Sequence, residues 1–239
     1  DVTSSATLAD GLKFQPGVRI ENNCQNCGTT QIRINGLEGP YSQILIDSRP
    51  VVGALAGVYA LEQIPANMIE RIEVIRGGGS ALFGANAIGG TINVITREPI
   101  RNSGEFSHTF SAINGTGSLE NNTTFNASLV NDTRNAGIML YGQHRARDGY
   151  DHDGDGFTEL AQLKNRSFGF RSFVKTGVYS RLSLEYQNIH EFRRGGDRLD
   201  MQPFEAFITE QVEHYINGGS VKYDHFLNEG ANRLTLYGA

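Results

Sequence analysis

Beyond Pro99 the chain obeys a period of two. Phe106, His108, Phe110 and Ala112 alternate with Glu105, Ser107, Thr109 and Ser111. Phe125, Ala127 and Leu129 alternate with Thr124, Asn126 and Ser128, and Leu182, Leu184 and Tyr186 with Arg181, Ser183, Glu185 and Gln187. Less regular runs of the same kind cover 136–147, 167–175, 215–226 and 233–237. Successive strand side chains point to opposite faces, so each run is a strand with one apolar and one polar face. A soluble sandwich would alternate in the same way, but its connections need not differ between its two ends. Here they do: 131–135, 176–180 and 228–232 are short, whereas 148–163 and 191–214 are long. Short turns at one end and long loops at the other are the pattern of an antiparallel transmembrane barrel with lipid outside and an aqueous lumen inside. Counting outward from Pro99 puts both long loops on the outer side. Seven strands cannot close such a wall, since barrels with a plugged lumen have about 22.

Composition is consistent with that reading. There is no run of about 18 apolar residues, so no transmembrane helix is expected. A net charge of −5 leaves no electrostatic footprint for nucleic acid. Both cysteines, Cys24 and Cys27, fall in a single C-x-x-C, too few for a disulfide scaffold. Because the chain starts at Asp1 and stops within a strand-like run, it reads as a fragment of something longer.

The first hundred residues have a different texture. Residues 4–17 read as a short helix with Leu8 and Leu12 on one face, ending before Pro16-Gly17. Strand candidates follow at 18–21, 31–34 and 43–47, then an apolar segment broken by Gly53, Gly57 and Pro65. The stretch 70–99 reads as strand, glycine turn (Gly77-Gly78-Gly79), a helical turn from Ser80, a second glycine turn at Gly89-Gly90, and strand. G-G-G-S before a helix could suggest a phosphate cradle, but the lysine of a P-loop is absent. The unit is a compact α+β domain whose core is modest for its loops, as suits a body enclosed by another structure.

Several ordered motifs in this domain resemble the plug of TonB-dependent outer-membrane transporters. They are L-x-x-x-P-G-V at Leu12–Val18, I-R-I-N-G at Ile32–Gly36, I-L-I-D-S-R-P-V at Ile44–Val51, and I-P-x-x-M-I-E-R-I-E-V-I-R-G at Ile64–Gly77. R-G-x-x-S-A-L-F-G-x-x-A-I-G-G-x-I-N-V-I-T at Arg76–Thr96 closes the series. Two positions depart from the family: Asn35 stands where arginine is usual, and Gly78 where proline is common. The C-x-x-C-G and N-G-L-E-G-P-Y-S-Q pieces are similar to Bacteroidetes haem- and cobalamin-receptor-like members. The resemblance implies a plug over 1–99 and the first seven or so barrel strands over 100–239, in the bacterial outer membrane. It also implies TonB-driven import of haem, cobalamin or a ferric siderophore, without enzymatic chemistry. The expected partners are TonB with its inner-membrane energising complex, a metal-chelate ligand, outer-membrane lipid and a surface lipoprotein. The N-terminal TonB box is not within this chain. A plugged barrel serving as surface receptor, adhesin or partner anchor is the alternative.

Candidate sites follow, each beside a plainer reading. Asp151, Asp153, Asp155, the Phe157 carbonyl and Glu159 follow the spacing of the first half of an EF-hand loop, with Gly156 at the sixth position. The bidentate glutamate is missing, since Gln162 takes its place, so the alternatives are a structural calcium ion and an acidic, solvated loop tip. No other cofactor is expected. Cys24 and Cys27 would meet an oxidising periplasm, which favours a disulfide. Glu38, Tyr41, Ser42, Leu55 and Tyr59 are candidates for substrate contact at the plug apex, or for packing against the wall. Glu70, Arg71, Glu73, Arg76 and Arg97 are expected to form ion pairs between plug and wall. His108, His144, His190 and His214 could ligate haem, although a lone strand histidine more often hydrogen-bonds in a lumen.

Overall fold

The computed structural model describes residues 7–24, 26, 28–37, 39–50, 62–113, 118–227 and 231–239. A five-residue helix, α1 (Leu8–Leu12), opens the described chain, with the Thr7 hydroxyl accepting from the Asp10 amide as its N-cap. β1 (Val18–Cys24) and β2 (Thr29–Ile34) form an antiparallel ribbon. A second sheet follows the order β4-β3-β6-β5, from β3 (Ser42–Ile46), β4 (Arg49–Pro50), β5 (Ile69–Arg76) and β6 (Gly90–Thr96). β3 runs parallel to β6, and β5 antiparallel to it. The link from β5 to β6 carries the expected helical turn, α2 (Ser80–Phe83), between glycine turns.

Leu8, Leu12, Ile32, Ile34, Ile44, Ile64, Met68, Ile92 and Val94 fill the core of this domain. Met139 and Tyr141 from the wall join the same cluster, so the domain's core is completed by the sheet beside it. The hydrophobic effect therefore holds the domain in its seat as well as together.

The wall is one antiparallel sheet in sequence order. Its strands are β7 (Ser103–Ala112), β8 (Leu119–Val130), β9 (Ala136–Arg147), β10 (Gln162–Gly177), β11 (Ser180–Gly196), β12 (Thr209–Leu227) and β13 (Asn232–Gly238). Phe106, Leu129, Leu140, Phe168, Leu184, Val221 and Leu236, one from each strand, are among the large apolar side chains left exposed, and they make the lipid band. Asn126, Gln143, Arg145, Asn165, Ser167, Glu191 and Arg193 are buried on the opposite face, against the plug side.

The wall departs from the sequence reading in one respect. The two ends of the segment 191–214, expected to be loop, are strand: β11 continues to Gly196 and β12 starts at Thr209. Glu191 and Arg193 are polar because they face the plug, not because they lie in a loop.

Candidate functional site

The functional geometry lies in the seam where the wall grips the plug, and two arginines of the wall dominate it, Arg171 partly buried and Arg193 fully buried. On β10, Arg171 Nη2 lies 2.5 Å from Asp47 Oδ2 of the plug and 2.6 Å from Glu185 Oε1 of β11. Its Nη1 donates to the Thr96 hydroxyl at the end of β6. Asp47 is itself held, accepting from the Thr96 amide at 3.0 Å and from the Thr96 hydroxyl at 2.6 Å. Asp47 and Ser48 both have positive φ, +48° and +66°. Two left-handed residues in succession define the tight turn that joins β3 to β4, and neither residue is a glycine. That backbone is costly for side-chain-bearing residues. The Asn93 side chain, accepting from the Ser48 amide at 2.8 Å, helps to hold it.

The second clamp is centred on Arg193 of β11, whose side chain is 2% exposed. It donates to Glu62 Oε2 of the plug at 2.8 Å, to Glu191 Oε1 at 2.9 Å and to the Gly28 carbonyl at 2.5 Å. Glu191 also accepts from Gln63 of the plug at 3.2 Å and from Asn165 at 2.9 Å. Burial pushes the Glu62 carboxyl up. The Arg193 guanidinium and the Thr30 hydroxyl, with Arg145 and Arg147 further off, outweigh it and hold Glu62 below the ordinary glutamate range. Neutral contacts support both clamps: Asn67 donates to the Phe125 carbonyl at 2.9 Å and to the Gly142 carbonyl at 3.1 Å. Arg181 reaches Glu98 at 3.1 Å. A cavity of about 810 Å³ opens along the seam, with Asp47 and Arg171 of one clamp and Gln63, Tyr141 and His214 in its lining.

The expected plug-to-wall ion pairs are corrected by this arrangement. Arg71 pairs with Glu70 at 3.1 Å and Glu73 at 2.9 Å, within its own exposed strand. Arg76 donates to the Pro16 carbonyl of the plug. Arg97 does reach the wall, at Glu105, 3.1 Å away. The principal pairs run the other way, with arginines on the wall and acids on the plug. β5 lies at the edge of its sheet with its charges in solvent, so it does not face the wall.

Of the candidates for substrate contact, Glu38, Leu55 and Tyr59 lie outside the described residues. Tyr41 is 45% exposed, at the end of a single 3-10 turn (Gly39–Tyr41), and Ser42 is buried where β3 pairs with Gly90. Cys24 has no free thiol and lies with its Sγ 3.1 Å from Glu210 Oε2, while Cys27 is outside the described residues. In the loop after β9, carboxylate oxygens of Asp151, Asp153, Asp155 and Glu159 lie within 4.8 Å of one another. Asp151 accepts from the Gly154 and Gly156 amides, and Asp155 from the Phe157 amide, at 2.7–2.8 Å. The histidines divide. His214 faces the seam, 3.8 Å from Glu191. His108, His144 and His190 are in register on the opposite, lipid-facing side, so they are not lumen residues.

A small α+β domain that shares its core with an antiparallel wall and is tied to it by ion pairs is similar to the fold of TonB-dependent receptors. The family model described as TonB-dependent Receptor Plug Domain matches residues 1–91. The chain is 28% identical over 217 residues to the vitamin B12 transporter BtuB of Vibrio vulnificus strain YJ016, covering 87% of this chain and 35% of the relative. Over 94 residues it is 36% identical to BtuB of strain CMCP6, 39% of this chain and 15% of the relative. The siderophore receptor PirA of Acinetobacter baumannii superposes with a TM-score of 0.72 at 21% identity, over 93% of this chain and 36% of PirA. The unliganded ferric citrate transporter FecA gives 0.72 at 16% identity, over 95% of this chain and 36% of FecA. The chain thus spans about a third of the length of these structures.

Proposed function

We propose that the full-length receptor imports a scarce metal-chelate nutrient across the bacterial outer membrane, driven by TonB. The observation that carries this is the seam. A plug that shares its core with the wall yet is gripped by Arg171 and Arg193 is seated firmly, but by contacts that a pull on the plug can break in sequence. Cobalamin is the first cargo to test, because the relative matched along most of this chain is a vitamin B12 transporter. Ferric siderophores and haem are the other candidates. The receptor performs no chemistry on its cargo; its work is binding and gated passage. Tyr41 and Ser42 remain candidates for cargo contact, together with Glu38, Leu55 and Tyr59. Cys24 and Cys27 are proposed as a small-loop staple.

Calcium belongs to the same proposal. Four carboxylates turned toward one another offer several oxygens to a hard cation, the donor type that calcium prefers. Bound calcium would order the loop between β9 and β10 on the outer side. Calorimetry on the full-length receptor should give a binding isotherm that D153N/D155N abolishes; no heat at millimolar calcium would leave the plainer reading of a solvated loop.

Uptake of labelled cobalamin by a deletion strain carrying the full-length gene, with and without TonB, tests the main reading. TonB-dependent accumulation of cobalamin or another chelate supports it. Surface binding of chelates with no accumulation of any of them favours the receptor or adhesin alternative.

A further inference from the structure

On the lipid side of the wall the apolar band is interrupted by one ordered polar row. His108, Thr123, His144, Arg166, His190 and Tyr215 are successive cross-strand partners from β7 to β12. The same parity on β10 carries Val174, Phe170 and Phe168 below Arg166, and Lys164 above it. Arg166 and Lys164 are exposed, and neither forms an ion pair among the described residues.

Depth follows from counting. β10 ends at its short-turn side at Gly177, so Arg166 lies eleven residues and Lys164 thirteen residues up the strand. A barrel strand needs about 9–11 residues to cross the hydrocarbon. Both cations therefore sit at the outer headgroup layer, facing lipid rather than lumen. Because barrel strands are tilted, the row climbs: His108 lies five residues above the start of β7, and His190 ten above the start of β11. The β7 end of the row is thus within the hydrocarbon, where the His108 ring meets the Thr123 hydroxyl at 2.8 Å. The β10–β12 end emerges from it.

We propose that Arg166 and Lys164 bind the phosphate groups of a phosphorylated glycolipid of the outer leaflet. Charge complementarity selects this occupant. Basic side chains on the lipid face cost little only near the interface, where an anionic headgroup can meet them. Two same-face residues on one strand are about 7 Å apart, so the pair can engage two phosphates or straddle one. A guanidinium offers a fork of donors matched to phosphate oxygens. The flanks are suited to a ligand with both sugar and acyl parts. His144 and His190 lie on either side of Arg166, and Phe168 lies below it to meet the chains. Tyr215 stacks on His190 with ring centroids 4.3 Å apart, and Glu213 bonds both at 2.9 and 2.7 Å. That acid is engaged by its own neighbours and does not neutralise Arg166 or Lys164. The inference rests on the barrel's placement in the membrane and is independent of what is imported.

The experiment is native mass spectrometry of the full-length receptor in neutral detergent. The probes are a bisphosphorylated lipid A, the same lipid with its phosphates removed, phosphatidylethanolamine and inorganic phosphate. Bound lipid A is expected on the wild type, with the dephosphorylated lipid and phosphatidylethanolamine at least about tenfold weaker. K164Q/R166Q should lose the same factor, while K164R/R166K retains binding. Inorganic phosphate at equal concentration should not displace the lipid. Equal binding of the two lipid A forms by the wild type overturns the proposal, even if the glutamine variant fails to fold. So does undiminished binding by a folded K164Q/R166Q, or displacement by inorganic phosphate. Cobalamin uptake by the same strains is read separately, so failure of the import reading leaves this result unaffected.

Discussion

Replacing Arg193 with methionine isolates the seam's contribution to plug seating. The substitution keeps much of the side chain's bulk but leaves Glu62 and Glu191 facing a neutral neighbour in a buried site. The lost contacts include four hydrogen bonds, three of them to carboxylate oxygens at 2.8, 2.9 and 3.3 Å. A hydrogen bond to a charged group contributes roughly 1.5–3 kcal/mol, and removing one partner of a buried pair costs about 3–5 kcal/mol. We therefore expect R193M to lower the free energy of plug opening by about 3–5 kcal/mol. E62Q, which leaves Arg193 its bonds to Glu191 and Gly28, should cost less. The double variant should be less destabilised than the sum of the singles, by about 0.5–3 kcal/mol. Hydrogen exchange of the full-length receptor, followed at residues 28–34 and 62–69, reads these values directly.

The pH dependence gives an independent sign. Glu62 is held below its ordinary value in the seated plug, so its stabilisation is complete above the free carboxyl's value of 4.5. It is lost as pH falls through the lowered one. In R193M the largest influence that favours the Glu62 carboxylate is gone while burial remains, so charging Glu62 costs more than in the wild type and acidification relieves that added cost. Wild-type protection should thus fall with acid, whereas R193M should gain some. Unchanged exchange in R193M, or the same pH trend in both proteins, would show that the Arg193 clamp does not seat the plug.

Three further outcomes follow from the same geometry. D47N should weaken the Arg171 clamp and raise exchange in β3 and β6, and R171K should not rescue a wild-type pattern, since one ammonium cannot reproduce the fork. N67A should leave the Phe125 and Gly142 carbonyls without their plug donor and cost about 1–2 kcal/mol of plug seating, measurable in the same exchange experiment. G195A should be more damaging than its size suggests, because a Cβ there would lie 2.0 Å from the Asn26 carbonyl oxygen; faster proteolysis of the segment between β1 and β2 is the readout.

Much of the architecture could be read from the sequence because its signals are local. Glycines 77–79 and 89–90 bracket a helical turn between two apolar strings, and the chain folds that way between β5 and β6. The wall's alternation reports a lipid face and a lumen face, and Leu182, Leu184 and Tyr186 point as their period requires. The long-range facts were not accessible in the same way. Glu191 and Arg193 look like loop residues until Glu62, more than a hundred positions earlier, is placed against them. Arg71 and Glu73 look like partners for a wall, but the sheet order leaves β5 at an edge facing solvent. The strand histidines have the right period for either face, and the plug's position decides which face is the lumen. Asp47 illustrates both sides: its motif marks the family, but its role as an acceptor for Arg171 requires the fold.

Uptake of labelled cobalamin and of a panel of ferric siderophores and haem, in a deletion strain restored with the full-length gene, tests whether the receptor is an importer. Accumulation of at least one chelate is expected, and it should disappear when TonB is deleted. Loss of accumulation with intact TonB but no change on restoring the gene, or uptake indifferent to TonB, would contradict import.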